Sequence, residues 1–380
     1  MDPRPLLDYC QSTLDEMLRC LEAAVKIESP TFSRPDVDRM AAFFADRFRK
    51  EHGKVRVLRH GTAGSAVLGE FWGEKRRGAK PILILGHLDT VWETGTLQRM
   101  PFRMRGGRAY GPGIFDMKSG IVCGLWAIRA LRACGIEPRS PVRFFLNSDE
   151  ETSSVAFRKQ LLAEARKARA VLVLEPAAAG GALKTSRKGV GEFRITVHGR
   201  SAHAGINPGA GVNAISELAK QLVRIEKLAR PRQGLTLTVG LIEGGSRSNV
   251  VPERASASVD VRIPRRKDRD PLEQKIRSLK PLHPEARLEI SGGINRPPME
   301  RAMAVELFRR AKELGGQLGM DITEASTGGG SDGNFTAALG VPTLDGLGGV
   351  GDGAHAVHEH VIIRELPRRA ALLAALIASL

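Results

Sequence analysis

This 380-residue sequence predicts an α/β fold built on a mostly parallel sheet flanked by helices. Three observations carry that prediction. Residues 82–85, 142–146 and 171–174 are short, continuous apolar runs, the pattern of strands buried on both faces. Helical patterns separate each run from the next, as the crossovers between parallel strands require. Each run also ends in polar residues: Gly86-His87-Leu88-Asp89-Thr90, then Asn147-Ser148-Asp149-Glu150-Glu151, then Glu175-Pro176. That is the C-terminal sheet edge, where α/β folds place their sites.

The elements follow in order. Leu14, Met17, Leu18, Leu21 and Val25 fall at helical spacing, as do Met40, Phe43, Phe44 and Phe48, so two amphipathic helices open the chain. Residues 55–58 and 66–72 read as strands joined through a glycine-containing turn at 61–64. Beyond the strand ending at His87 comes an irregular, glycine-punctuated segment over 92–115. Asp116 then stands just before an apolar helix over 121–133, where N-capping alone would account for an acid. A further helix runs to about Lys167.

The texture changes near residues 189–191. Alternating strands appear at 193–197, 235–239 and 255–263, with another at 287–290. One helix between them carries Val212, Ile215, Leu218 and Leu222, and a second covers 271–279. This is a smaller α+β unit inserted into the larger domain, giving 1–188 and 298–380 as the two parts of the main domain and 189–297 as the insertion. Helical texture resumes after Pro297-Pro298 over 304–314, and the last helix starts at Pro367, a good first-turn residue.

Composition narrows the function. Hydrophobic residues make up 42%, enough for sizeable cores. The net charge of +16 and pI of about 10.2 raise the question of nucleic acid. The excess is scattered, in pieces such as Lys75-Arg76-Arg77 and Arg265-Arg266-Lys267, with no interleaved aromatics, so a solvated basic surface is expected and no nucleic-acid partner. No run reaches transmembrane length and the N-terminus lacks a signal-peptide pattern, so neither a membrane partner nor export is expected. Cys10, Cys20, Cys123 and Cys134 form no Cys-x-x-Cys pair and read as free thiols. The expected location is the cytoplasm.

The chemistry lies at the strand ends. His87 and Asp89 share one side of an extended strand, so Asp89 could steady the imidazole while His87 binds a metal. The same sheet edge gathers Asp116, Glu150, Glu151 and Glu175, with His355, His358 and His360 available from the glycine-rich stretch 327–360. Burying so many carboxylates together is untenable unless cations compensate. Imidazole and carboxylate without thiolate suit zinc, with cobalt or manganese as substitutes, and two metals fit the ligand count better than one. Three carboxylates against two divalent ions favour a bound hydroxide over water at neutral pH. Phosphate cradling is the rival for the glycines, but no Gly-x-x-x-x-Gly-Lys-Ser/Thr occurs.

Taken with Gly111-Pro112-Gly113, Leu174-Glu175-Pro176 and Thr327-Gly328-Gly329-Gly330-Ser331-Asp332, these motifs resemble, nearly from end to end, the co-catalytic dinuclear zinc metallopeptidases. That family holds glutamate carboxypeptidases of the carboxypeptidase G type, aminoacylases, acetylornithine deacetylases and succinyl-diaminopimelate desuccinylases. The resemblance implies two zinc ions per subunit, with His87 and Glu175 on one, Glu151 and His355 on the other, and Asp116 bridging. A serine or threonine usual after the last ligand is replaced by Ala356. Glu150 would be the general base and Asp89 would orient His87. The insertion would be a ferredoxin-like lid and dimerisation domain. In it, His203 of Gly199-Arg200-Ser201-Ala202-His203-Ala204-Gly205 would reach a partner subunit's site to stabilise an oxyanion. Arg262, with Asn249 beside it, would bind a substrate carboxylate, and Gly330 would line the substrate site. Arg187-Lys188 are candidates for contacting an acidic group.

The expected activity is metal-dependent cleavage of an amide bond, releasing a C-terminal amino acid, with glutamate a candidate, from a peptide or N-acyl amino acid. One alternative is a deacylase of the acetylornithine or succinyl-diaminopimelate type. A remote one is a non-catalytic binding protein on the same fold, which would have no need of a free base at Glu150.

Overall fold

The computed structural model describes residues 2–76 and 78–380, so that Arg77 of the basic run lies outside the described residues. Six strands form the main sheet in the order Lys54–Leu58, Ala66–Phe71, Val142–Asn147, Ile82–His87, Ala170–Val173 and Thr343–Leu344. The last four are parallel to one another, and the first two run antiparallel at one edge. The expected mixed α/β class with a parallel-rich sheet is the one observed. Every residue of Ile82–His87 is buried, because the strand lies in the interior of the sheet with both faces covered.

The period-2 alternation assigns the faces. Leu83 and Leu85 join Phe145, Val171 and Val173 against Phe157, Leu161 and Ala165, of which the last two belong to helix Arg158–Lys167. Helix Ser119–Ala133 packs on the strand Ile82–His87 and on the terminal helix Glu365–Ser379, and all but a few residues of both helices are buried. Helices that are apolar on most faces are stable only inside such a layer.

Three helices, not two, open the chain: Arg4–Ser12, Leu14–Val25 and Arg34–Lys50. The first was missed because its nine residues bury only Leu6 and Cys10, too few to show a period. Short strands Arg103–Arg105 and Arg108–Tyr110 form a hairpin within the segment read as irregular. Five of those six residues are not buried, so no apolar alternation betrays them. The last helix begins at Glu365, which places Pro367 in its first turn.

The chain divides into two compact units, one of 1–186, 301–327 and 331–380, the other of 187–300 with 328–330. The second unit is a four-stranded antiparallel sheet in the order Thr236–Gly244, Arg254–Ile263, Gly189–His198, Arg287–Arg296. Helices Ala214–Glu226 and Arg269–Arg277 complete a strand–helix–strand–strand–helix–strand sequence, the ferredoxin-like arrangement. Its core joins Phe193, Ile195, Val197, Val259 and Val261 to Leu218, Leu222, Leu272 and Ile276.

Two close approaches shape the end of the strand Ala170–Val173. A Cβ on Gly120 would stand 2.0 Å from the Leu174 carbonyl oxygen, and one on Gly348 would stand 2.2 Å from the same atom. Only glycine lets a helix start and a loop meet that backbone from two sides. Gly120→Ala is therefore expected to destabilise the protein by about 1–3 kcal/mol, the usual cost of overpacking, as measured by chemical denaturation.

Candidate metal centre

Three strands of the parallel set, Ile82–His87, Val142–Asn147 and Ala170–Val173, deliver the residues that follow or close them to one place. His87 closes the strand Ile82–His87, and its Nε2 stands 3.1 Å from Asp116 Oδ1 and 3.7 Å from Glu175 Oε1. Two groups of potential ligands share it. Ligand atoms of His87, Glu150 and Glu175 lie within 4.8 Å of one another, as do those of His87, Asp116 and Glu151. His355 Nε2 extends the second group, at 3.4 Å from Glu151 Oε1 and 3.5 Å from Asp116 Oδ2. The ring of His87 is oriented by its other nitrogen, which lies 2.9 Å from the Asp89 backbone carbonyl. That contact leaves Nε2 to face the carboxylates.

The Asp89 side chain does something the sequence did not suggest. Its carboxylate stands 3.5 Å from the imidazole but accepts hydrogen bonds from the backbone amides of Glu150 and Glu151, each at 3.2 Å, and from Thr31 Oγ1 at 2.8 Å. The carboxylate holds the turn that bears the two glutamates, and the backbone carbonyl steadies the histidine. In the 3₁₀ turn Glu150–Thr152 the two adjacent glutamates project differently, so Glu150 joins one ligand group and Glu151 the other.

Asp116 does not cap the helix that follows it. No side-chain cap is made at that terminus, and its carboxylate faces His87 and His355 instead. Of the three C-terminal histidines, only His355 meets the acids. His358 is exposed, while His360 is buried and lies against Tyr110, with ring centroids 5.3 Å apart. His355 is held at φ 62°, in the left-handed region that a non-glycine residue adopts at a cost of about 1–2 kcal/mol. The sequence reading also missed Glu359, a fully buried carboxylate beside Asp116. Its signal was an acid amid apolar and small residues, masked by the histidines around it.

The electrostatics ask for cations. Burial and the facing acids push Glu151 above the usual carboxylate range. Burial works the same way on Asp116, yet His355 and His87 hold it well below that range. Facing Asp116 and Glu151, His355 is pushed up to about 10. Burial opposes a charge on His87, but Asp116 and Asp89 raise it well above its ordinary value. The facing acids favour positive charge at both imidazoles, the sign of a cluster short of cations. Glu151 Oε1 is buried and accepts no hydrogen bond from the described residues, with His355 Nε2 too far for a good one. An orphaned carboxylate oxygen among imidazoles and acids fits a divalent ion, and the all N/O donor set suits zinc.

The remaining expected site residues belong to the second unit. His203 is exposed, and its Nδ1 accepts from the amides of Gly205 and Ile206 at 3.1 and 3.2 Å. The neutral ring therefore carries its proton on Nε2. Asn249 lies beside this turn, its carbonyl accepting from the Ala204 amide at 2.9 Å. It does not stand beside Arg262. Arg262 pairs in register with Val190, at the opposite end of the sheet from the Arg254–His198 pair that leads to Asn249 and His203. Arg262 binds Asp260 through Nε and an NH2 group at 2.9 and 2.8 Å, and also donates to the Gly328 carbonyl. Arg187 is buried and donates to the carbonyls of Gly329 and Gly330.

The sequence profile of peptidase family M20/M25/M40 matches residues 83–379. The chain belongs to this family. Carboxypeptidase G2 of Pseudomonas sp. (strain RS-16) is 33% identical over 97% of this chain and 91% of that protein. Succinyl-diaminopimelate desuccinylase of Leptothrix cholodnii is 28% identical over 87% and 91%. Among solved structures, aminopeptidase PepT of Bacillus cereus superposes with a TM-score of 0.76 at 21% identity, covering 96% of this chain and 98% of that one. An M20 family metallo-carboxypeptidase of Sulfolobus solfataricus gives 0.71 at 17%, covering 96% and 98%, and confirms the shared fold.

The family resemblance read from the motifs is thus borne out. M20 enzymes are dinuclear zinc peptidases, and this chain is a metal-dependent amide hydrolase of that kind. Among the described residues, no helix is long and apolar enough to cross a membrane.

Removing metal should expose the strain of the cluster. Dialysis against a chelator is expected to lower the unfolding temperature, and zinc to restore it. With zinc a thousandfold above its Kd, the gain is about 4 kcal/mol, read by thermal unfolding across a zinc series.

Proposed function

We propose that this enzyme releases a C-terminal amino acid from a peptide or N-acyl amino acid. The observation that carries the reading is the pair of ligand groups sharing His87, with adjacent glutamates assigned one to each. His87 and Glu175 would hold one zinc ion, Glu151 and His355 the other, and Asp116 would contact both. When bound, the zinc ions supply Lewis acidity that makes a water nucleophilic at neutral pH and polarises the scissile carbonyl.

The chain's own residues do the rest. Glu150 takes the proton of the attacking water and passes it to the leaving amine, so one carboxylate serves both halves of the reaction. Asp89 fixes the position of that base through the amides of Glu150 and Glu151. His203, protonated at Nε2, donates to the carbonyl oxygen as negative charge builds there. Arg262 binds the substrate carboxylate, exchanging part of its pairing with Asp260 for the new anion.

The lid's own geometry supports a homodimer. Arg262 and the His203–Asn249 turn lie at opposite ends of a sheet whose strands span about 26 Å between these positions. One amino acid cannot touch both, so a site that uses both takes His203 and Asn249 from a partner's lid. The edge strand Thr236–Gly244 exposes Leu241 and Ile242, 67% and 60% accessible, and suits pairing with a second copy. The cytoplasm is proposed on the cysteines, which are free and three of them buried; burial raises Cys20 and Cys123 to about 11 and 12.

A second reading is favoured by the desuccinylase relatives: removal of an acyl group from an N-acyl amino acid on the same site. Hydrolysis of C-terminal glutamate peptides set against N-succinyl and N-acetyl diamino acids, with the zinc-loaded enzyme, separates the two. Faster turnover of the latter would replace the carboxypeptidase reading. In the same assay Glu150→Ala is expected to keep its zinc and lose at least about 10²–10⁴-fold in kcat; substantial residual turnover would remove it as the base.

Mixing tests the shared site. Glu150→Ala and His203→Ala dimers, each nearly inactive, should recover roughly a quarter of wild-type activity on subunit exchange, because half the dimers are mixed and carry one intact site. No recovery would place His203 outside the partner's site.

A further inference from the structure

Glu359 is unexplained by any role so far assigned. Its carboxylate is fully buried, yet no cation faces it at ion-pair distance among the described residues. It is instead saturated by four N–H donors. Oε2 accepts from Trp92 Nε1 at 2.7 Å and from the Gly113 amide at 2.8 Å, and Oε1 accepts from the Phe115 and Asp116 amides at 2.8 and 3.0 Å. A carboxylate offers about four lone-pair sites, and all are used.

These donors are not scattered. Gly113, Phe115 and Asp116 form the turn that carries the acid facing both imidazoles. Within that turn Asp116 and Met117 leave helical geometry, so the helix Ser119–Ala133 cannot satisfy the amides before it. Buried amides left unpaired cost about 1–3 kcal/mol each, and Glu359 removes that cost for three at once. Trp92 lies three residues beyond Asp89, and Glu359 itself lies four residues beyond His355. Its neighbour His360 is fixed by strand pairing with Tyr110. One carboxylate thus ties together the three segments that bear His87, Asp116 and His355.

We infer that Glu359 is a positioning residue for the metal centre. It sets the place of Asp116 relative to both histidines, and with it zinc affinity and turnover, without touching metal or substrate. The inference rests on the proposed role of Asp116 as a shared ligand. An acid whose oxygens stand 3.1 and 3.5 Å from two imidazoles can serve both only if its backbone is held to a few tenths of an ångström.

The test uses the full-length protein and zinc alone as the ligand, titrated by competition with a chromophoric chelator. The variants are Glu359→Gln, Glu359→Ala, Trp92→Phe and Asp116→Ala. Glu359→Gln turns one acceptor oxygen into a donor facing other donors. It is expected to weaken zinc binding about 10–100-fold, the usual range for groups that orient ligands, and to lower kcat with KM nearly unchanged. Excess zinc should return part of the lost activity, and the cobalt-substituted spectrum should shift. Trp92→Phe, which removes a single donor, should move affinity the same way by a few-fold.

Wild-type zinc affinity and kcat in folded Glu359→Gln would overturn the inference. So would a fall in the stability of the zinc-free protein with affinity unchanged, the mark of a purely structural group. Should both Glu359 variants fail to fold, an unchanged zinc affinity in Trp92→Phe overturns it. Asp116→Ala separates the two levels: if it loses zinc while Glu359→Gln does not, only this inference falls. If Asp116→Ala also binds zinc normally, the ligand assignment falls as well.

Discussion

The repulsion among acids at one sheet edge is the constraint on which the rest of this structure depends. Asp89, Asp116, Glu150, Glu151 and Glu175 are withdrawn from water beside the imidazoles of His87 and His355. An arrangement of that kind stores electrostatic free energy that only cations can release. The facing acids favour positive charge on both histidines, and one buried oxygen of Glu151 accepts no hydrogen bond from the described residues. A protein that belongs to a dinuclear zinc family has here the charge deficit that two divalent ions fill.

Around that deficit the fold spends its rigid parts. His87, Glu150, Glu151 and Glu175 leave the ends of buried parallel strands, whose positions are fixed by the layers of side chains above and below. Backbone-to-carboxylate hydrogen bonds then set each turn. Asp89 holds the Glu150–Glu151 turn, and Glu359 holds the Gly113–Asp116 turn. Acids that bind amides rather than metal thus recur as the supports of acids that face the histidines. Placing two glutamates side by side in a 3₁₀ turn lets neighbouring residues take different duties, since their side chains diverge.

The inserted unit follows a different logic. Its sheet is long enough that the two ends cannot serve one small substrate. A histidine turn at one end and an arginine at the other fit the proposed sharing of sites between two copies. The relatives of this chain include a carboxypeptidase and desuccinylases, so one family fold carries more than one substrate class.

Much of this was legible from the chain alone. Continuous apolar runs ending in acids announced buried parallel strands and their functional edge, because burial on both faces and the polarity of a strand end are local properties. The motifs around His87, Asp116, Glu150, Glu151 and Glu175 carried the family resemblance, which in turn implied His355. Other features were beyond sequence reasoning. The helix Arg4–Ser12 and the strands Arg103–Arg105 and Arg108–Tyr110 are too short or too exposed to show a period. The family resemblance singled out His355, but the reason that it rather than His358 or His360 meets the acids lies in the backbone path of the loop, which turns one ring toward the acids and buries another against Tyr110. The true partners of Asp89, the distance between Asn249 and Arg262, and the four donors around Glu359 were equally hidden. By itself the sequence determined which residue types meet at the sheet edge and hence the chemistry. Tertiary structure decided which atom faces which, because hydrogen bonds between segments far apart in the chain depend on packing that no local pattern encodes.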